Sequence, residues 1–330
     1  MSEHDSLLRA VIDNPEDNAP RLVYADWLDE HGEPDHAELI RLQCALARRG
    51  GVPKARRVAV KQRVAEILVQ PSFAHPTYET ETLLWERGFI AQYPLEIRGE
   101  RGRGFDGCSL QGRTGFSRLG PWILGIKLRL SSWVRHPAAV WRRHVDRAWP
   151  RPITELVFYP LPSATVMRSI ASAPCLDSVR SLGCYGGVPV EGFSDVVLSP
   201  RLAKLEVVHV DGAFQAETRR GETSESDDPR VVAAWQRILF SPRTRNFRAL
   251  ILSARGIGPA IASAVADSPH LGNLQDLYLL GSDEYPESLR RRLHTRFGRV
   301  WWDVRFGRGH DIGPVDAILA GSRRRHRHDR

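Results

Sequence analysis

The chain has little sulfur, and none of it is arranged for chemistry. Its four cysteines, Cys44, Cys108, Cys175 and Cys184, are scattered without C-x-x-C spacing, and no histidine pair accompanies them at zinc-finger spacing. That excludes a cysteine-ligated zinc module and a dithiol redox site, and it leaves isolated, mostly buried thiols in a reduced, cytoplasmic protein as the expectation. No apolar run comes near the ~18 residues a membrane-spanning helix needs, so no membrane partner is expected. The opening "MSEHDSLLRAVIDNPEDNAP" carries acids where a secretory leader needs a basic n-region and an unbroken apolar core, so no leader is expected. The strings GxxxxGK[ST], HExxH, GxSxG and DxDxDG are all absent, and His209 with Asp211 in "VVHVDG" has no serine or cysteine nucleophile placed beside it by sequence. No enzyme activity, no cofactor and no metal is the resulting expectation.

What the chain does have is positive charge, unevenly spread. It has 47 Lys+Arg against 39 Asp+Glu, a net charge of +8 and a pI near 9.7, which would suit an anionic partner. The first forty residues are acidic, however, whereas 98–151 and 290–330 are rich in arginine. With 330 residues and 42% hydrophobic content, the chain can bury one large core or two modest ones.

In the first fifty residues apolar side chains recur at helical spacing: Leu7, Leu8, Val11 and Ile12, then Leu22, Val23 and Leu28, then Leu39, Leu42 and Leu46. Three short helices are predicted. Asn14-Pro15 breaks the first, Pro20 suits the first turn of the second, and His31-Gly32 ends it. A fourth helix is predicted over about 52–69, completing a helical module over 1–75, with its boundary between about 70 and 90.

Beyond it lie short alternating runs that read as single strands: "YPLEIRG", "LGIKLRLS", "ITELVFYP", "VRSLGCY", "LAKLEVVHV", "FRALILSA", "LQDLYLLG" and "RVWWDV". Their central residues, Leu95, Leu128, Leu156, Leu182, Leu205, Leu250, Leu277 and Trp302, are spaced by 33, 28, 26, 23, 45, 27 and 25 residues. Most steps fall in or near the leucine-rich-repeat range, each repeat giving one strand and one helix or turn. The long step contains "QAETRRGETSESDDPR", predicted to be an inserted surface loop over about 214–229. "SAPCL", "LSPRL" and "DSPHL" recur before strands, and "ATVMRSIASAPCL", "DPRVVAAWQRILFSP" and "GPAIASAVADSPHLGNL" read as helices between them. The expected fold class is therefore α/β: an N-terminal α-helical module, then an irregular leucine-rich-repeat-like solenoid over 90–308, with parallel strands on one face and helices on the other. An α/β domain with an ordinary parallel sheet is the alternative, because both need the same alternation.

The string "NPEDNAPRLVYADWLDEHGEPDHAELIRLQCAL", with the later "LLWERGFIAQYPLEI", resembles the bacterial repeat-companion domain, an N-terminal module found beside leucine-rich and other repeats. The resemblance covers about residues 4–50. It implies a repeat-bearing bacterial protein, and it carries over no catalytic role.

The acid and histidine cluster Asp26, Asp29, Glu30, His31, Asp35, His36 and Glu38 contains types that bind metals. Asp26, Asp29 and Glu30 nevertheless lie beside an exposed Arg21 and opposite Leu22, Ala25 and Leu28, and read as a solvated helix face. Tyr24 and Trp27 are three apart and share a helix face, so they pack on the core or, if exposed, form a binding patch. "GRGFDG" at 102–107 fits GxGxxG, but no helix pattern follows to receive a phosphate, so it reads as a Gly/Arg loop.

Binding or scaffolding of a protein partner on the strand-lined face is the expected function. Alternation places Glu96 and Arg98, Lys127 and Arg129, Glu155 and Val157, Glu206 and Val208, and Asp276 and Tyr278 on that face as candidate contacts. The rival expectation is nucleic-acid binding. It would use the Arg/Trp segment "SSWVRHPAAVWRRHVDRAWPR", with Trp133, Trp141, Trp149, Arg135, Arg142 and Arg143, together with the basic tail 309–330, which reads as disordered and contains Arg323, Arg324 and Arg325. Oligomeric state is not legible.

Overall fold

The structure, a computed structural model, describes residues 2–14, 17–48, 50–70, 72–73, 84–99, 108–111, 126–131, 152–159, 164–185, 188–211, 214–215, 228–253, 257–279, 285–298 and 300–302. The chain divides into two compact units: unit 1 is Met1–Leu95 with Gly112–Ile126, and unit 2 is Glu96–Gln111 with Lys127–Arg330. It is a mixed α/β protein, with nine α-helices and a six-stranded parallel sheet among the described residues.

Unit 1 is built on helices α1 (Glu3–Asp13), α2 (Ala19–Glu30), α3 (Pro34–Ala47) and α4 (Lys54–Leu68). Ser2 opens α1 with a capping box: its hydroxyl accepts from the Asp5 N–H, and the Asp5 carboxylate accepts from the Ser2 N–H. Proline in the first turn starts α2, and Gly32 ends it at φ +83°, as the sequence predicts. The buried stripe differs from the predicted one. Leu22 is exposed, and Arg21 lies buried with Tyr24, Ala25 and Leu28. A guanidinium is tolerated there because Nη1 donates to the Asp17 carbonyl at 2.7 Å and the group lies 5.8 Å from the Phe89 ring centroid.

Strands β1 (Leu84–Glu86) and β2 (Phe89–Gly99) form a hairpin around Arg87-Gly88, whose φ values of 51° and 83° are those of a primed turn. The turn docks on α3. His36 Nε2–H donates to the Gly88 carbonyl at 2.7 Å, and Gly88 N–H donates to Gln43 Oε1 at 2.6 Å.

Unit 2 carries the end of β2 with β3 (Cys108–Gln111) antiparallel to it, then β4 (Ile126–Ser131), β5 (Ile153–Tyr159), β6 (Ser181–Tyr185), β8 (Val207–Asp211), β10 (Ala249–Ser253), β11 (Asp276–Leu279) and β12 (Val300–Trp301). From β5 to β12 each of these strands is parallel to its neighbour, in chain order. The connecting helices are α5 (Ala164–Ala171), α6 (Val190–Val197), α7 (Pro229–Leu239), α8 (Pro259–Asp267) and α9 (Glu287–Phe297), each packed against the next. Sequential parallel strands joined by right-handed crossovers put all their helices on one face. Gly192 permits the close approach of α6 to α5, since a Cβ there would lie 2.7 Å from the Ala164 Cα. Phe214 and Gln215, predicted to open the inserted loop, instead form β9 and pair with β7 (Val188–Pro189), and Pro229 already belongs to α7.

The register fixes which residues are equivalent. Leu156, Leu182, Val208, Leu250, Leu277 and Val300 form one row across the sheet. Leu205 is thus not a strand centre. It is the buried residue that closes the preceding turn, like Val179, Phe247 and Leu274 in the neighbouring units. The apolar run "LAKLEVVHV" combines both positions. Among the described residues no helix is long and apolar enough to cross a membrane.

Candidate interaction surface

The turns before the strands repeat in sequence and in backbone hydrogen bonding. The units read "APCLDSVR", "SPRLAKLE", "SPRTRNFR" and "SPHLGNLQ", starting at Ala173, Ser199, Ser241 and Ser268. In the last three, the serine Oγ accepts from the backbone N–H two residues on, at Arg201, Arg243 and His270. Ser199 donates to the Ala171 carbonyl, and Ser268 donates to that of Leu239 at 2.5 Å. Asn246 donates to the Ala203 carbonyl at 2.9 Å, and Asn273 to that of Arg245 at 2.8 Å, so the last two turns are each stapled to the one before. A backbone ladder runs beside the staples: Arg180 N–H to Thr154 O, Glu206 to Arg180, Arg248 to Glu206 and Gln275 to Arg248, at 2.7–2.9 Å. Serine and asparagine suit these places because their short polar side chains satisfy carbonyls that a turn leaves unpaired.

The strand face away from the apolar row is buried from β5 to β11. Glu155, Ser181, Val207, Ala249 and Asp276 share one row, and Val157, Gly183, His209, Ile251, Tyr278 and Trp301 share the next. Of the candidate contacts, Glu155 and Asp276 are 2% and 3% exposed, Tyr278 is 5% exposed, and Val157 is fully buried. They are therefore not presented to solvent, and a partner cannot touch them without rearrangement. Alternation identifies a strand's two faces but not whether one of them is covered.

Glu206 and Val208 are out of phase with the other pairs. Val208 belongs to the apolar row and Glu206 precedes its strand, a one-residue offset that exchanges faces. Glu206 lies at the turn edge between Arg180, at 3.0 Å, and Arg248, at 3.9 Å. Glu96 and Arg98 pair in register with Gln111 and Ser109, and Lys127 and Arg129 lie in β4. Arg135, Arg142, Arg143, Arg323, Arg324 and Arg325, the three tryptophans Trp133, Trp141 and Trp149, the GRGFDG loop and the tail lie outside the described residues.

The N-terminal acid cluster is engaged in ion pairs. Asp26 and Asp29 both pair with Arg41, which raises the guanidinium's pKa, and Glu38 binds Arg63 through both carboxylate oxygens, which holds its own pKa low. His31 Nδ1–H donates to the Trp27 carbonyl and His36 is buried. No group of three metal-ligating side chains occurs among the described residues. Tyr24 is fully buried, with its ring 5.7 Å from Phe89, and its hydroxyl meets His4 Nε2 at 3.0 Å; Trp27 is half-buried and stacks on His31. Cys44, buried among these helices, has its thiol pushed up to about 11 by desolvation, which makes it a poor nucleophile.

The pattern that sequence reading understated is the exposed turn edge. Arg180, Arg201, Lys204, Arg243, Arg245 and Arg248 line it, and the signal was the recurring S-P-R. Comparison of the chain with family models, with curated proteins and with solved structures finds no match.

Proposed function

We propose that this is a non-enzymatic protein-interaction or scaffold protein of the bacterial cytoplasm, in which a repeat-companion module precedes an irregular leucine-rich-repeat-like solenoid that takes a protein partner. The observation that carries this reading is the stapled repeat of unit 2. Equivalent strands, helices and turns recur in register, and such stacks offer extended surfaces on which equivalent positions line up. The buried strand face moves the contact surface away from Glu155, Asp276 and Tyr278 toward the turns and helices.

Purification of the tagged full chain from its native cells, with nuclease treatment, tests the reading. A protein is expected to co-elute in near-stoichiometric amount after the treatment. Elution of nucleic acid alone before treatment, and of the bare chain after it, would instead favour a nucleic-acid binder using the Arg/Trp segment and tail, and the yield of such a complex would fall steeply with salt.

A further inference from the structure

Resting on that reading, we infer that the turn edge of the second and third strand–helix–turn units, centred on Lys204, Arg243, Arg245 and Phe240, binds an acidic protein segment that also carries an apolar side chain. Six cations line this edge of unit 2 in neighbouring turns, against Asp177 and Glu206 as the carboxylates among them. Adjacent rungs of a sheet are ~4.8 Å apart, so cations on successive rungs are brought close together. Asp177 serves Arg201 at 3.1 Å, and Glu206 serves Arg180 and Arg248. Arg243 and Lys204 have no ion-pair partner among the described residues, and Arg245 donates its Nε–H to His270 Nδ1 at 3.4 Å.

The helix side of the same unit is arranged differently. There Arg237 pairs with Asp195 and Arg292 with Asp267. The turn edge therefore carries an uncompensated positive charge on backbone held by serine and asparagine staples, so little ordering cost falls on binding.

A second observation identifies what lies beside the charge. Phe240, the residue before Ser241, is 46% exposed at the end of α7. Aromatic and arginine side chains together are the pair that protein interfaces enrich as anchors. A nucleic-acid strand would call for a series of aromatic platforms along the cations. One phenylalanine beside the stapled arginines fits a peptide with carboxylates flanking an apolar residue.

The test is fluorescence anisotropy with the purified full chain and a labelled glutamate-rich peptide bearing one central leucine. Its leucine-to-alanine version and a single-stranded oligodeoxynucleotide of equal charge serve as comparison probes. Arg243→Glu with Arg245→Glu is expected to weaken peptide binding at least tenfold. The charge-matched pair Arg230→Glu with Arg237→Glu, on α7, is expected to change it less than threefold. Phe240→Ala is expected to weaken the leucine peptide and leave the alanine peptide unchanged, with circular dichroism showing each variant folded.

Equal losses from the two double variants would overturn the inference in favour of bulk charge. So would the absence of peptide binding, or tighter oligonucleotide binding that the turn-edge variant abolishes. Undiminished capture of the native protein partner by the turn-edge variant would refute this surface while leaving the protein-interaction reading intact. Capture of no protein by the unaltered chain would refute that reading itself.

Discussion

Gly88→Ala is expected to cost unit 1 roughly 2–5 kcal/mol of stability, whereas Gly32→Ala costs only about 1–2 kcal/mol. The two glycines have the same φ of +83°, so the backbone penalty for a side chain is shared. They differ in what a Cβ would meet. At Gly32 nothing lies within 4 Å, while at Gly88 the new atom would lie 2.1 Å from Ile40 Cγ1 and 2.7 Å from the Ile40 Cα. Since Cα is backbone, relief requires the hairpin to lift from α3. Lifting would stretch the bonds that Gly88 makes to His36 and Gln43 and expose Phe89, which is fully buried. Urea denaturation followed by hydrogen exchange at the α3 amides separates the two substitutions. Equal costs would mean that the hairpin does not sit on α3.

Trp235→Ala is expected to remove roughly 3–5 kcal/mol from unit 2, the range for a large aromatic deleted from a core. Trp235 is fully buried on α7, with Phe193 of α6 5.6 Å from it between ring centroids. Its loss would leave a cavity between α6 and α7. Phe240→Ala, five residues on and half-exposed, is expected to change stability by no more than about 0.5 kcal/mol. The pair is read from the urea midpoints of the variants against the parent chain. A Phe240 substitution as damaging as that of Trp235 would refute both the packing and the assignment of Phe240 to a contact surface.

Helices α1 to α4 were legible because caps and periodicity agree there: Pro20, Gly32 and the leucine spacing all mark the boundaries found. The parallel strands were legible for a similar reason, since apolar alternation recurs at a steady step. Three things were not. Leu205 looked like a strand centre because a buried turn residue and a buried strand residue have the same composition. Arg21 looked exposed because charge suggests the surface; its guanidinium meets the Asp17 carbonyl one helical turn back and the Phe89 ring, which only the fold brings there. Glu155, Asp276 and Tyr278 looked available because alternation carries no information about what lies over a face. The turn edge had a written signal in S-P-R, but its meaning depended on the register that stacks Arg201, Arg243 and His270.

Crosslinking of the captured complex tests the central claim, that unit 2 takes the partner, most directly. The chain has four lysines, of which Lys54 and Lys61 lie on α4 of unit 1, Lys127 in β4 and Lys204 on the turn edge. An amine-reactive reagent followed by mass spectrometry is expected to join the partner to Lys204. Crosslinks confined to Lys54 and Lys61 would contradict it, and would assign the interaction to the helical module instead.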